Sequence, residues 1–122
     1  MPALTVLTGA ATAAYSAALV ARPELLQRPS GLSQNQDSRT LTRLVGVRDT
    51  AIGVAMVLAP GGAARRAAVG ARVASDWGDA AVLGVALRGR DTRAKVVGFA
   101  ALWGAVCLAA LRYDERRSPT RR

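Results

Sequence analysis

The chain has 122 residues, of which 51% are hydrophobic and only 4% aromatic, and its formal net charge is +9 at pH 7. This length allows one domain, and an apolar content dominated by alanine, glycine, valine and leucine favours close-packed helices. The excess of cations does not predict a nucleic-acid partner, because the arginines lie mainly between and after apolar segments without interleaved aromatic residues for base stacking.

The first apolar segment, residues 2–21, contains twenty residues without a charge, about the length that crosses a bilayer. A cleaved signal peptide is the alternative, but the first cation is Arg22, so the basic start of a signal peptide is missing. We therefore expect a retained membrane span. Hydroxyl residues recur along it at helical spacing and are expected to face other helices or to bond to their own backbone: Thr5, Thr8, Thr12 and Ser16.

Three further apolar segments follow a polar connection at residues 22–40, which has room for a short interfacial helix near residues 24–28. We predict spans at residues 41–59, 67–87 and 96–111, and a charged, disordered tail at residues 113–122. The predicted fold is all-α: a polytopic four-helix bundle formed by a single membrane domain, residues 1–112. Basic residues balance on the two sides of such a bundle, so they do not predict its orientation.

The second and third predicted spans contain charged residues of both signs. Each unpaired charge at the centre of a membrane helix costs about 2.5–3.5 kcal/mol, so these side chains are expected to pair with one another. Counting outward from the turn at Pro60 places opposite charges at similar depths, as Asp49 with Arg72, Arg48 with Asp76, and Arg43 with Asp79. The predicted site is therefore a buried, neutral network of Arg43, Arg48, Asp49, Arg72, Asp76 and Asp79.

The directions of these side chains restrict the pairing. Arg43 and Arg48 diverge by about 140° around a helix, so both cannot point straight at the third span. An alternative is that Arg72 and Asp76 pair within their own helix, four residues apart, which leaves Asp49 and Asp79 to share Arg43 and Arg48. Small residues permit close helix packing on the same spans, and the predicted packing positions are Gly46, Gly53, Gly78 and Gly84.

The pattern Arg43-x-x-Gly46-x-Arg48-Asp49-x-x-x-Gly53, followed by Arg72 and Asp76-x-x-Asp79, resembles a family of small bacterial four-helix membrane proteins. That family is catalogued as a domain of unknown function and is loosely similar to DoxX-like proteins. The resemblance covers residues 41–87 best. It implies four membrane-spanning helices and no assigned enzymology.

The sequence contains no histidine, no spacing typical of metal ligands and no catalytic signature, so we predict no metal, no cofactor and no catalytic residues. The predicted function is a non-enzymatic accessory or assembly subunit of a larger envelope or lipid-transport complex in the cytoplasmic membrane. Its expected partners are the bilayer and another membrane protein or a second copy. The alternatives are a small proton-coupled carrier that uses the intramembrane aspartates, a lipid-directed enzyme and a soluble helical domain.

Overall fold

The computed structural model describes residues 2–118, and its regular structure over this range is entirely helical. The all-α prediction is confirmed. Five helices follow one another along the chain: α1 (Ala3–Ala21), α2 (Glu24–Ser30), α3 (Gln36–Leu58), α4 (Gly62–Ala86) and α5 (Arg93–Arg117).

The four long helices contain most of the residues predicted as spans, and α2 lies where a short helix was expected. Helix α3 begins five residues before the predicted span at residue 41, and α4 begins five residues before the one at residue 67. Helix α5 continues to Arg117, so the predicted domain boundary after residue 112 falls inside this helix. Of the predicted disordered tail, residues 113–117 are helical, and residues 119–122 lie outside the described residues.

Local chemistry accounts for the ends of these helices. The side chain of Asn35 caps α3 by accepting a hydrogen bond of 2.8 Å from the Ser38 amide. Helix α2 ends at Gly31, whose φ of 69° lies in the left-handed region that favours glycine. The tight connection from α3 to α4 uses Gly61 and Gly62, both with positive φ.

The long helices alternate in direction. Positions early in α1 lie against the end of α3, with Gly9 beside Met56, while positions late in α1 lie near Gly46. The same antiparallel order relates α4 to α5, because Trp77 lies beside Gly104 and Gly84 lies beside Val97. The broadest interfaces are α1 with α3 and α4 with α5, and thinner α1–α5 and α3–α4 interfaces close the bundle.

The buried interior is mixed in polarity. A small apolar cluster occupies the end of the bundle near the α3–α4 turn: Met56, Ala68, Val69, Cys107 and Leu111. The hydroxyl stripe of α1 is buried along its whole length, from Thr5 to Ser16. Thr12 illustrates how such a group is satisfied, since it donates to the Thr8 carbonyl at 2.8 Å and accepts from Trp103 Nε1 at 3.0 Å.

Two of the described helices, α1 and α5, are long and apolar enough to cross a membrane by length and composition. The core helix of a soluble protein or a signal sequence can have the same length and composition. Membrane crossing by α3 and α4, which contain the charged residues, stays a prediction.

Candidate functional site

A cluster of arginine and aspartate side chains joins the middle of α3 to the middle of α4. The structure brings together five of the six residues expected to form a network: Arg48, Asp49, Arg72, Asp76 and Asp79. Asp49 belongs to the buried face of α3, which also contains Thr42, Gly46, Gly53 and Met56 at steps of three and four residues.

Arg72 is the centre of the cluster, with a side chain that is only 2% exposed. Its Nε donates to Asp76 Oδ2 at 3.0 Å, and its Nη2 donates to Asp76 Oδ1 at 2.5 Å. Its Nη1 lies 3.1 Å from Asp49 Oδ1 on the facing helix. Asp76 therefore takes a two-pronged guanidinium contact within α4, while Asp49 receives the contact that crosses between helices.

Arg48 forms the outer part of the cluster. Its Nε donates to Asp49 Oδ1 at 2.8 Å, and its two terminal nitrogens donate to the carboxylate of Asp79 at 3.2 and 2.6 Å. The side chains of Arg48 and Asp79 are 39% and 27% exposed, so this second two-pronged pair lies at the rim of the α3–α4 interface. Asp49 Oδ1 links the two arginines because it contacts both.

Arg43 lies outside the cluster. Its Nε donates to the carbonyl of Val20 in α1 at 3.1 Å. The separation of about 140° from Arg48 explains this placement, because a helix that turns Arg48 toward α4 turns Arg43 toward its other neighbour.

Depth alone did not identify the partners. Asp49 and Arg72 do meet, as counting from the turn predicted, but Arg48 bonds to Asp79 instead of Asp76. Asp76 is occupied by Arg72 from its own helix, which is the alternative that the four-residue spacing predicted. The expected neutral network is consequently one cation short, with two guanidinium groups facing three carboxylates.

The four glycines predicted to mediate packing fall into different environments. A Cβ on Gly46 would lie 2.8 Å from the Ser16 carbonyl oxygen, and one on Gly53 would lie 2.6 Å from the Ala13 nitrogen. Both glycines therefore serve the close approach of α3 to α1. A Cβ on Gly84 would meet only Val97 at 3.4 Å, and one on Gly78 would meet no described atom within 4 Å.

Asp114 makes a structural contact that the sequence did not predict. Its carboxylate accepts hydrogen bonds from the backbone amides of Leu4 at 3.3 Å and Thr5 at 2.7 Å, and the residue is 5% exposed. It thereby satisfies free amides at the start of α1 and places a negative charge at the positive end of that helix. Nothing local marks this role, because the partner amides lie about 110 residues away in the chain.

The cluster is chemically a set of charge-assisted hydrogen bonds rather than a metal centre. Within residues 2–118, no group of three or more acidic or cysteine side chains is arranged to hold a metal ion. Comparison with protein-family models, with curated proteins and with solved structures yields no match. The resemblance to small four-helix membrane proteins therefore stays an expectation drawn from the residues quoted for it.

Proposed function

We propose that the chain is a multi-pass protein of the cytoplasmic membrane, with α1, α3, α4 and α5 as four spans. In this proposal it acts without catalysis, as an accessory or assembly subunit of a larger envelope or lipid-transport complex. The observation that carries the membrane part is the distribution of polarity, because many large apolar side chains are exposed while several polar and charged ones are buried.

Large apolar side chains cover the outside of the four long helices. Residues more than 60% exposed include Leu7 on α1, Leu41 and Leu58 on α3, Val82 on α4 and Phe99 on α5. Inside the bundle, by contrast, lie the hydroxyls of α1 and the charges of Asp49, Arg72 and Asp76. Such a surface is costly in water and favourable against lipid, where polar groups must be satisfied within the bundle.

The charge cluster fits this proposal as a structural connection between two antiparallel helix pairs, α1 with α3 and α4 with α5. The α3–α4 interface is thin, and the contacts of Arg48 and Arg72 with carboxylates of the facing helix are its strongest polar interactions. In lipid these pairs have no water to exchange with, so they hold α3 and α4 in one register.

The outward face of α4 supports the subunit part of the proposal. Gly70, Ala74 and Gly78 are exposed and spaced four residues apart, and a Cβ on Gly70 or Gly78 would meet no described atom within 4 Å. A face of small residues at this spacing lets a second membrane helix approach closely. The half-exposed Arg48–Asp79 pair lies at about the same depth and would be shielded from lipid by such a helix.

Site-specific photocrosslinking in native membranes tests this docking face. A photoreactive residue at Gly78 should give a discrete crosslinked product, and the matched position is Gly98 of α5, which is also exposed with no described atom near its Cβ. A product whose mass equals two chains identifies a second copy, and a different mass identifies another subunit. Equal crosslinking from both positions, or none from Gly78, would contradict the assignment of this face.

A proton-coupled carrier is the second candidate, and one observation favours it. The cluster has three carboxylates and two guanidinium groups, so uptake of one proton would make it neutral. Against this role, each carboxylate already accepts a hydrogen bond from an arginine. Unchanged proton and solute flux in vesicles after Asp76→Asn would exclude the carrier.

A further inference from the structure

The end of the bundle opposite the α3–α4 turn contains a groove of about 580 Å³ between α4 and α5. This volume is within the range of about 300–1,000 Å³ that is typical of ligand clefts. Most of the lining is small and apolar, and three charged residues of the α4–α5 connection complete it. The lining includes Ala81, Gly84, Val85, Ala94 and Val97 on the apolar side, and Arg90, Asp91 and Arg93 on the charged side.

The two arginines of the groove are fixed in place by backbone contacts. Arg93 Nε donates to the carbonyl of Gly84 at 2.7 Å, and Arg90 Nη1 donates to the carbonyl of Gly31 at 2.6 Å. Neither guanidinium forms an ion pair with a carboxylate of residues 2–118, although Asp91 lines the same groove. Each therefore retains N–H donors for an anion.

The start of α5 adds to the positive potential at the groove. No side chain caps the first turn of α5 within the part of the chain that the structure describes, and Lys95 lies in that turn. The amides at the start of a helix attract anions, and this helix begins beside the groove. The lining has two cations against the one carboxylate of Asp91, so its net charge is positive.

We propose that this groove binds one phospholipid with a net negative headgroup. The phosphate lies between Arg90 and Arg93, and an acyl chain follows the apolar lining along α4 and α5. This is the arrangement expected of a basic pocket between membrane helices at the level of the headgroups. The proposal rests on the membrane insertion proposed above, because only then do the groove and its arginines lie at the boundary between headgroups and hydrocarbon.

Native mass spectrometry of the full chain in detergent, titrated with single lipids, tests the proposal. Phosphatidylglycerol should bind with a one-to-one stoichiometry and about tenfold more tightly than phosphatidylcholine, because the choline cation of phosphatidylcholine offsets the attraction of its phosphate to the net positive groove. The double variant Arg90→Gln, Arg93→Gln should lose at least about tenfold in affinity for phosphatidylglycerol. The matched control is Arg88→Gln, an exposed arginine of the same connection outside the groove lining, which should bind normally.

A second variant and a soluble competitor distinguish a bound lipid from a bound free anion. Ala81→Leu fills the apolar part of the groove without changing its charge, and it should weaken phosphatidylglycerol binding while the arginines remain. Inorganic phosphate should not displace the lipid, and if it does so at similar concentrations the site holds a free anion instead.

Equal binding of the two lipids by the wild-type chain would overturn the proposal without reference to any variant, and so would equal losses in the double variant and in Arg88→Gln. Alkaline extraction of membranes distinguishes a failure of the lipid-binding proposal from a failure of the proposed membrane insertion. A chain that stays in the membrane but shows no lipid preference contradicts the groove alone, and a chain released from the membrane contradicts the proposed function as well.

Discussion

Arg72 Nη1 lies 3.1 Å from Asp49 Oδ1 across the α3–α4 interface, and the arginine side chain is 2% exposed. This is the more deeply buried of the charge contacts between α3 and α4. A buried guanidinium without enough acceptors is costly. Removing the carboxylate of Asp49 would leave Arg72 in that state, so we expect Asp49 to contribute strongly to stability.

Replacement of Asp49 should therefore destabilise the bundle strongly. We expect Asp49→Asn to lower the free energy of unfolding by about 3 kcal/mol, because it removes one carboxylate from two arginines. Asp79→Asn is the matched change at the exposed rim and should cost about 1 kcal/mol or less, since Arg48 keeps Asp49. Unfolding in mixed micelles, followed by circular dichroism, compares the two. Equal losses of unfolding free energy in the two variants would show that burial does not determine how much each carboxylate contributes to stability.

The pairing of Arg48 with Asp79 should appear as an energetic coupling. In a double-mutant cycle with Arg48→Gln and Asp79→Asn, we expect a coupling energy of about 1 kcal/mol. Arg43→Gln with Asp79→Asn provides the control, because Arg43 donates to the carbonyl of Val20 instead. That cycle should be additive within about 0.5 kcal/mol. Coupling in the control as large as in the first cycle would restore the pairing that depth alone predicted.

The glycines should separate into two groups when alanine replaces them. Gly53→Ala should destabilise the protein, because its Cβ would lie 2.6 Å from the Ala13 nitrogen and 2.7 Å from the Gly9 carbonyl oxygen. Neither backbone atom can move away without separating α1 from α3. Gly78→Ala meets no described atom within 4 Å and should be neutral or stabilising by up to about 1 kcal/mol through helix propensity. Melting temperatures of the two variants in the same detergent provide the measurement.

Loss of the Asp114 carboxylate should act at a distance along the chain. Asp114→Ala should cost about 1 kcal/mol, comparable to the loss of a helix cap, and should speed hydrogen exchange at the amides of Leu4 and Thr5. The neighbouring change Glu115→Ala removes a carboxylate that pairs with Arg66 on α4, and it should leave those two amides unchanged. Unaltered exchange in Asp114→Ala would show that the start of α1 does not depend on this contact.

The spacing of residues along each helix was enough to predict which residues share a face of that helix. The buried stripe of α1 and the face of α3 with Gly46, Asp49 and Gly53 follow directly from steps of three and four residues. The direction in which each face points is a different matter. The divergence of Arg43 and Arg48 showed that they serve different neighbours, but only the packing of α1 against α3 decides which one faces α4.

Contacts between distant parts of the chain could not be predicted from the sequence, because they depend on how the helices pack. Asp114 resembles other charged residues of a polar tail until the end of α5 is placed beside the start of α1. The predicted packing role of Gly78 depends likewise on what lies opposite, and since this residue faces outward, only a helix outside the described bundle could pack against it. Local patterns identify which residues are small or charged, and the tertiary arrangement decides what they meet.

The central claim is that all four long helices cross the membrane, and labelling of single cysteines tests it most directly. In a Cys107→Ala background, single cysteines at Gln34, Ala63, Asp91 and Ser118 sample the α2–α3 connection, the start of α4, the α4–α5 connection and the end of α5. With a membrane-impermeant maleimide, four spans predict that Ala63 labels from the same side as Ser118, opposite to Gln34 and Asp91. If only α1 and α5 cross, Ala63 at the start of α4 labels together with Gln34 and Asp91, and that result would contradict a four-span topology.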